Sequence, residues 1–383
     1  MRVLFVTNNY LHIQGGGAYA TKAIVNAFAE VADSVKLLYP AVRNSPLPKI
    51  NPLVEAIPIY YECPMIIKAF NVYFGKIHRY YNVFNQYIDS GIDTVVFDTS
   101  IVSHKLIDVA KTNKLRVITI HHNYQVEFAK DDTTISIKYP LVYWVRKAER
   151  TAVLKSDLNI CLTNSDVKAL KMHYSKDAKF RVLGIFEPEN RPALDTTRHV
   201  LGHNYIITGN LSVKQTTDAL YPWIREYYPI LKKVDPKGTL RIAGFKPQRE
   251  LFKLCAHTDI EIVDSPPDMD PYLLGADYYI CPTNLGSGIK LRIMDGLRAG
   301  MPVITHTNSL RGYDSFLNTS VFIYDNKLSF ENVIRKIQER QFCHKSIQEE
   351  YLREFSFDEG VKRLRNLLNS TEPAITGKNV KIT

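Results

Sequence analysis

Twice along this chain a short β-rich run passes through a glycine loop or turn into helical periodicity, and each time further short apolar runs follow with helical patterns between them. The first set opens at Arg2–Thr7 (RVLFVT), continues through Asn8–Gly17 (NNYLHIQGGG) and enters a helical pattern over Ala18–Val31; strands are also read at Val35–Leu38, Thr94–Phe97 and Val117–Ile120. The second set follows a polar, proline-containing stretch, Glu187–His203, with strands at Tyr205–Thr208, Leu240–Ala243, Ile260–Val263, Tyr278–Cys281 and Val303–Thr305. Strands that alternate with helices pair in parallel through crossovers, so both faces of the sheet are covered. The expected fold class is α/β, with two Rossmann-like parallel-sheet domains. A length of 383 residues suits two such domains. The pattern divides the chain into an N-terminal domain at 1–187, a linker at 188–203, a second domain at 204–345, C-terminal helices at 346–370 and a tail at 371–383. Ser356–Leu368 reads as a last amphipathic helix, capped by Ser356 or Asp358.

Composition excludes several classes. With 45% hydrophobic and 23% charged residues, the chain has apolar mass for two cores and is not that of a disordered protein. No run approaches the roughly 20 apolar residues of a membrane span, and Met1–Thr7 is too short an apolar run for a signal peptide, so a cytoplasmic location is expected. The five cysteines (Cys63, Cys161, Cys255, Cys281 and Cys343) form no CxxC pair, which argues against a metal or disulfide framework. A net charge of +10 favours anionic partners. The aromatic and basic stretch Tyr60–Ile88 fits either a buried helix or an amphipathic surface that meets a membrane at its inner face or a lipid-linked acceptor.

The segment carrying most chemistry is Thr283–Val303 (TNLGSGIKLRIMDGLRAGMPV). It follows a strand and is expected to enter a helix near Ile289. Gly286 and Gly288 permit close backbone approach, the amides of Ser287, Gly288, Ile289 and Leu291 lie at the expected helix mouth, and Lys290 adds a full positive charge, which together suit a diphosphate. Asp295 lies five residues beyond Lys290, ~7–8 Å along a helix, a distance that would let its carboxylate accept from ribose hydroxyls. Gly209–Lys214 (GNLSVK), after the first strand of the second set, offers Gly209, Asn210 and Lys214 to the same anion. His121, His122 and Asn123 end a strand of the first set, where active groups of open α/β sheets gather; Glu127 follows in the same loop. His122 foremost, then His121 and Glu127, are the candidate catalytic residues. Asp264–Asp270 (DSPPDMD) holds an Asp268-x-Asp270 pair that imitates a metal-binding motif.

Thr283–Val303 resembles the donor-site motif of the GT-B glycosyltransferases, in particular the retaining glycosyltransferase family 4. Ala299, Gly300, Pro302 and Val303 match that family's small-Gly-x-Pro-Val run. Asp295 stands where a Glu is usual and Ser287 where the first acidic residue is usual, so the chain is closer to the family's GSGxK branch. The resemblance implies two domains facing across a cleft and a last helix that crosses back to the N-terminal domain. It implies that Gly15–Gly17, with Gly16 and Gly17 at the donor phosphates, forms the family's first glycine loop. Lys214 would neutralise the diphosphate, His122 would contact the sugar or phosphate, and the Asp264–Asp270 region would read the donor base. The activity implied is transfer of a sugar from a nucleotide diphosphate sugar, UDP by family frequency, to an acceptor hydroxyl of a glycan or lipid-linked acceptor. Retention, no metal, no cofactor beyond the donor substrate and a place in bacterial surface glycan or polysaccharide assembly come with it. Two rivals remain at this point. A sugar-nucleotide epimerase of the same fold would need paired carboxylates. A basic nucleic-acid-binding protein would need clustered cations and aromatics on one face and would leave GSGIK unexplained, so no nucleic-acid partner is expected.

Overall fold

The β1 run Arg2–Thr7 is buried at every position after Arg2, as a strand covered on both faces must be. In the computed structural model, which describes residues 1–13, 15–60, 80–88, 91–131, 138–194, 202–286 and 288–369, it is an interior strand of one of two parallel sheets. Ser287, Cys63, residues 61–79 of the aromatic stretch, much of the 188–203 linker and the 371–383 tail lie outside the described residues.

The chain divides into unit 1, Met1–Asn190 with the residues from Ser356 onward, and unit 2, Arg191–Phe355. Unit 1 holds β1, β2 (Ser34–Ala41), β3 (Val54–Tyr60), β4 (Thr94–Asp98), β5 (Arg116–His121), β6 (Leu158–Cys161) and β7 (Phe180–Val182) in the order β3-β2-β1-β4-β5-β6-β7. Unit 2 holds β8 (Asn204–Asn210), β9 (Thr239–Phe245), β10 (Glu261–Asp264), β11 (Tyr278–Cys281), β12 (Val303–His306) and β13 (Val321–Tyr324) in the order β10-β9-β8-β11-β12-β13. Every strand pair is parallel, and each sheet reverses its chain order once, between β1 and β4 and between β8 and β11. The strands absent from the sequence reading are β3, β6, β7 and β13. β6 and β7 are only four and three residues long, and β3 is an edge strand interrupted by Pro58. Such segments carry too few periods to register as a pattern.

Of the two C-terminal helices, His344–Phe355 packs within unit 2 against helix Arg292–Arg298, and only Phe357–Asn369 joins unit 1, on helix Gly16–Val31. Gly360 makes that docking close: a Cβ there would lie 2.2 Å from the ring of Phe186. At the described end of the aromatic stretch, Tyr80, Phe84 and Ile88 are core residues packed under β4, while Tyr81 is exposed. Among the described residues no helix is long and apolar enough to cross a membrane. Of the described cysteines, Cys161, Cys255 and Cys281 are buried thiols and Cys343 is exposed.

Candidate functional site

In an open parallel sheet, the loops leaving the two strands on either side of an order reversal diverge and open a crevice at their carboxyl ends. Each unit places its charged and glycine-bearing loops at that point.

In unit 2 the reversal lies between β8 and β11. Gly209 ends β8 in register with Gly244 of β9, and a Cβ on Gly244 would sit 1.9 Å from the Gly209 carbonyl oxygen. A Cβ on Gly209 would lie 2.9 Å from Nη1 of Arg292. Glycine at 209 therefore lets the Arg292 guanidinium lie flat against the strand end. Arg292 Nη2 donates to Thr216 Oγ1 at 3.2 Å, while Nη1 is buried and has no hydrogen-bond partner among the described residues. Asn210 secures the turn: its Oδ1 accepts from the backbone amide and the hydroxyl of Ser212, at 3.1 and 2.7 Å. Helix Lys214–Glu226 then begins with no side-chain cap at Val213, so its first amides point outward at the positive end of its dipole. Lys214 is largely exposed and donates to Asp218, one turn on, at 2.5 Å.

The loop after β11 meets this one. Gln215 Nε2 reaches the Leu285 carbonyl at 3.4 Å. Gly286 has φ +82, and a Cβ there would lie 2.0 Å from Gln215 Nε2, so conformation and space both demand glycine. Lys290 Nζ donates to the Gly286 carbonyl at 2.9 Å and draws GSGIK into a closed loop. The other side of the loop is held by Tyr313, whose hydroxyl donates to the Lys290 carbonyl at 3.0 Å, and by Gly312, which lies against Ile289. No atom lies within 4 Å of where a Gly288 Cβ would be, so that face is open.

Two sequence expectations change here. The helix starts at Arg292, with Leu291 as its cap, rather than near Ile289. Lys290 is spent closing the loop that precedes it, so the amides of Gly288 and Ile289 belong to a turn and not to a helix mouth. The first helical turn instead carries Arg292 and Asp295. Asp295 is about a third exposed and lies 3.8 Å from Arg191. The DGLRAGMPV run also has a structural reason. Gly296 lets the helix press on Tyr279 of β11, where a Cβ would meet the ring at 2.7 Å. Gly300, at φ +72, ends the helix, with its amide bonded to the Leu297 carbonyl.

The Asp268-x-Asp270 pair is turned to structural use. Asp268 accepts from the Asp270 amide at 3.0 Å, and Asp270 binds both terminal nitrogens of the buried Arg298. Among the described residues no group of three or more His, Cys, Asp or Glu is arranged to hold a metal ion.

In unit 1 the reversal lies between β1 and β4, and Thr7 and Asp98 face each other there in register. Asp98 is fully buried. Its Oδ2 accepts from Thr7 at 2.7 Å, Thr21 at 2.5 Å and Asn9 at 3.3 Å; its Oδ1 meets His122 Nε2 at 2.5 Å. Burial opposes charge on both partners. The opposite charges and their hydrogen bond prevail, so the Asp98 carboxyl is held below the ordinary range and the His122 imidazole above it. His121 points the other way, into the sheet. It is fully buried, with Nε2 at 3.0 Å from Asn159 Oδ1, and burial pushes it down to about 4, with the His122 charge adding to the effect. The two neighbouring histidines are thus shifted in opposite directions. Glu127 lies half-buried in the first turn of helix Gln125–Asp131. Gly15 caps helix Gly16–Val31 without a side chain. Gly16 and Gly17 are exposed at its start, with the Asn9 amide lying against Gly17.

Asp98, Arg191, Gln215 and Arg292 escaped the sequence reading. Asp98 is the residue immediately after the strand read as Thr94–Phe97, and Arg292 lies inside the motif that was read, so position relative to a strand end was the available signal.

The comparisons agree with this architecture. Residues 202–319, all in unit 2, match the family described as glycosyl transferases group 1. The fold is that of solved GT-B glycosyltransferases. Sucrose-phosphate synthase from Thermosynechococcus elongatus is similar with a TM-score of 0.72 at 12% identity, covering 96% of this chain and 98% of that one. Anabaena HepE in complex with UDP gives 0.66 at 12%, covering 96% and 99%. The pneumococcal O-GlcNAc transferase GtfA in complex with UDP and GlcNAc gives 0.65 at 11%, covering 96% and 98%. No curated protein matches the chain by sequence.

Proposed function

We propose that this chain is a glycosyltransferase that moves a sugar from a nucleotide diphosphate sugar, UDP-linked in the first instance, to an acceptor hydroxyl. The observation that carries the reading is the set of cations and open backbone at the β8/β11 reversal. Arg292 has one guanidinium nitrogen buried without a partner among the described residues, Lys290 is bound only a few atoms from the open Gly288, and the uncapped start of helix Lys214–Glu226 lies beside them. Such a site favours a diphosphate. The match of this unit to the glycosyl transferases group 1 family supports it, as do similar structures that hold UDP.

In the proposed reaction the bond between the sugar's anomeric carbon and the diphosphate oxygen breaks, and the acceptor oxygen bonds to that carbon. The acceptor proton leaves on the diphosphate, and charge grows on the departing phosphate. Arg292, Lys290 and Lys214 stabilise that charge, and Asp295 accepts from ribose hydroxyls. Cations do this work in the proposal, with no metal and no separate cofactor, and the anomeric configuration is retained. His122 donates to the transferred sugar or its phosphate. The acceptor is a glycan or lipid-linked sugar of the kind used in bacterial surface-glycan assembly, at the cytoplasmic face. Among the described residues, the nucleic-acid reading gains no cluster of cations and aromatics, and the epimerase reading gains no carboxylate beside His122 other than Asp98, which is fully buried.

The test is calorimetric binding of UDP, GDP, ADP and TDP with and without magnesium, repeated on Lys290→Ala and Arg292→Ala. Loss of a charged hydrogen bond to phosphate should weaken the preferred nucleotide about 10- to 100-fold. If both variants bind it as the native protein does, the site is wrongly placed.

A further inference from the structure

The Asp98 cluster does more than the proposed transfer requires of an acceptor-side histidine, and its geometry assigns roles to its members. Both carboxylate oxygens are used. Three donors from the β1 end and its following helix, Thr7, Asn9 and Thr21, converge on Oδ2, and His122 alone takes Oδ1. The donors are cross-braced: Asn9 Nδ2 also donates to Thr21 Oγ1 at 2.9 Å, the Asn9 amide donates to Thr7 Oγ1 at 3.1 Å, and the Thr21 hydroxyl, with its proton on Asp98, lies 2.9 Å from the Gly17 carbonyl. The backbone beside the carboxylate is strained. Thr99 is β-branched and holds φ +105, with its amide tied to the Ile120 carbonyl at 3.0 Å. From the remaining side His122 faces the buried Asp166 of helix Asn164–His173 and, on its own strand, the neutral His121. Asp166 is itself pinned by the Tyr124 amide and Thr163.

We propose that Asp98 is the positioning residue of unit 1: it locks the His122 ring by Nε2 and leaves Nδ1 to meet a substrate. The inference rests on the transferase reading only for what that atom touches. It fixes the chemistry at His122, which is a cationic hydrogen-bond donor to a sugar hydroxyl or phosphate oxygen and is not the base that takes the acceptor proton. The same carboxylate couples the glycine loop at Gly15–Gly17 to the histidine, since Thr7, Asn9 and Thr21 bracket that loop.

The sign of the pH dependence follows. His122 is held above the ordinary imidazole value by burial-resisted attraction to Asp98 and Asp166, so the competent form persists to higher pH than in an ordinary imidazole and is lost as pH rises through the raised value. The experiment is a nuclear magnetic resonance titration of histidine-labelled full-length protein. The His122 signals are assigned by loss in His122→Gln, and the titration is repeated in Asp98→Asn. Expected is a His122 protonated on both nitrogens at pH 7 in the native protein and a downward shift of its midpoint in Asp98→Asn. The alkaline limb of the transfer rate should move with it, while nucleotide affinity measured on unit 2 stays within twofold. A His122 that is neutral at pH 7 overturns the proposal, and this reading needs no variant that might fail to fold. A midpoint unmoved in a folded Asp98→Asn overturns it equally. Protein that binds no nucleotide yet shows the stated titration refutes the transferase reading and leaves the role of Asp98 standing.

Discussion

Removing the Asp270 carboxylate should destabilise unit 2 by an amount that the surroundings of Arg298 set. Arg298 is 2% exposed, its Nη1 and Nη2 both go to Asp270, and its Nε has no partner among the described residues. Asp270→Ala leaves a buried guanidinium without its counter-charge. Breaking a buried pair in this way costs about 3–5 kcal/mol. Asp270 itself is 36% exposed, so water can enter where the carboxylate stood and screening brings the cost to or below the bottom of that range, about 2–3 kcal/mol. For a unit of this size that is a fall in Tm of about 5–10 °C. Calorimetry should show it in the unit 2 transition, and nucleotide affinity should fall only as far as helix Arg292–Arg298 shifts. Asp268→Ala loses a turn hydrogen bond alone and should cost about 1 kcal/mol. The double variant Asp270→Leu with Arg298→Met should recover most of the loss, because the unpaired charge is gone. An Asp270→Ala protein that melts within 1 °C of the native one would refute the reasoning and return the Asp268-x-Asp270 pair to a binding role.

Three further outcomes are expected. Gly209→Ala should push the Arg292 guanidinium, whose Nη1 lies 2.9 Å from the new Cβ, off the strand end and weaken nucleotide binding roughly tenfold in titration calorimetry, with a fall in Tm from the strained φ of +156. Gly360→Ala should collide with the Phe186 ring at 2.2 Å and cost about 1–3 kcal/mol, read as faster proteolysis of helix Phe357–Asn369. Glu149 is buried, and burial pushes its carboxyl up to about 7 against hydrogen bonds from Gln125, Tyr174 and Val126. The folded state therefore holds a proton that the unfolded state releases at ordinary carboxylate pH. The stability this contributes is complete below the ordinary value and is lost as pH rises to about 7, on the order of 3 kcal/mol in all. Urea denaturation between pH 5 and 7.5 should show that slope in the native protein and not in Glu149→Gln.

The sequence by itself determined the class of fold and the identity of the charged loop. Strand–loop–helix alternation is a local property, and each of the nine strands read from it overlaps a strand of the two parallel sheets, with Ile260 alone lying outside, one residue before β10. The glycines of GSGIK and AGMPV were legible because a turn at positive φ leaves its mark on composition. The starting point of the helix was not legible, since it depends on Lys290 bonding back to Gly286 instead of joining the first turn. The sequence ranked His122 above His121 only through the family resemblance; the structure shows the physical difference, since His121 ends β5 and bonds Asn159 while His122, just beyond it, bonds Asp98. The strand order decided the rest. Thr7 and Asp98 are 91 residues apart and meet because β1 pairs with β4, and Arg292 meets Gly209 because β8 pairs with β11. Pairing between distant strands brings these side chains into contact, and no spacing along the chain encodes that pairing.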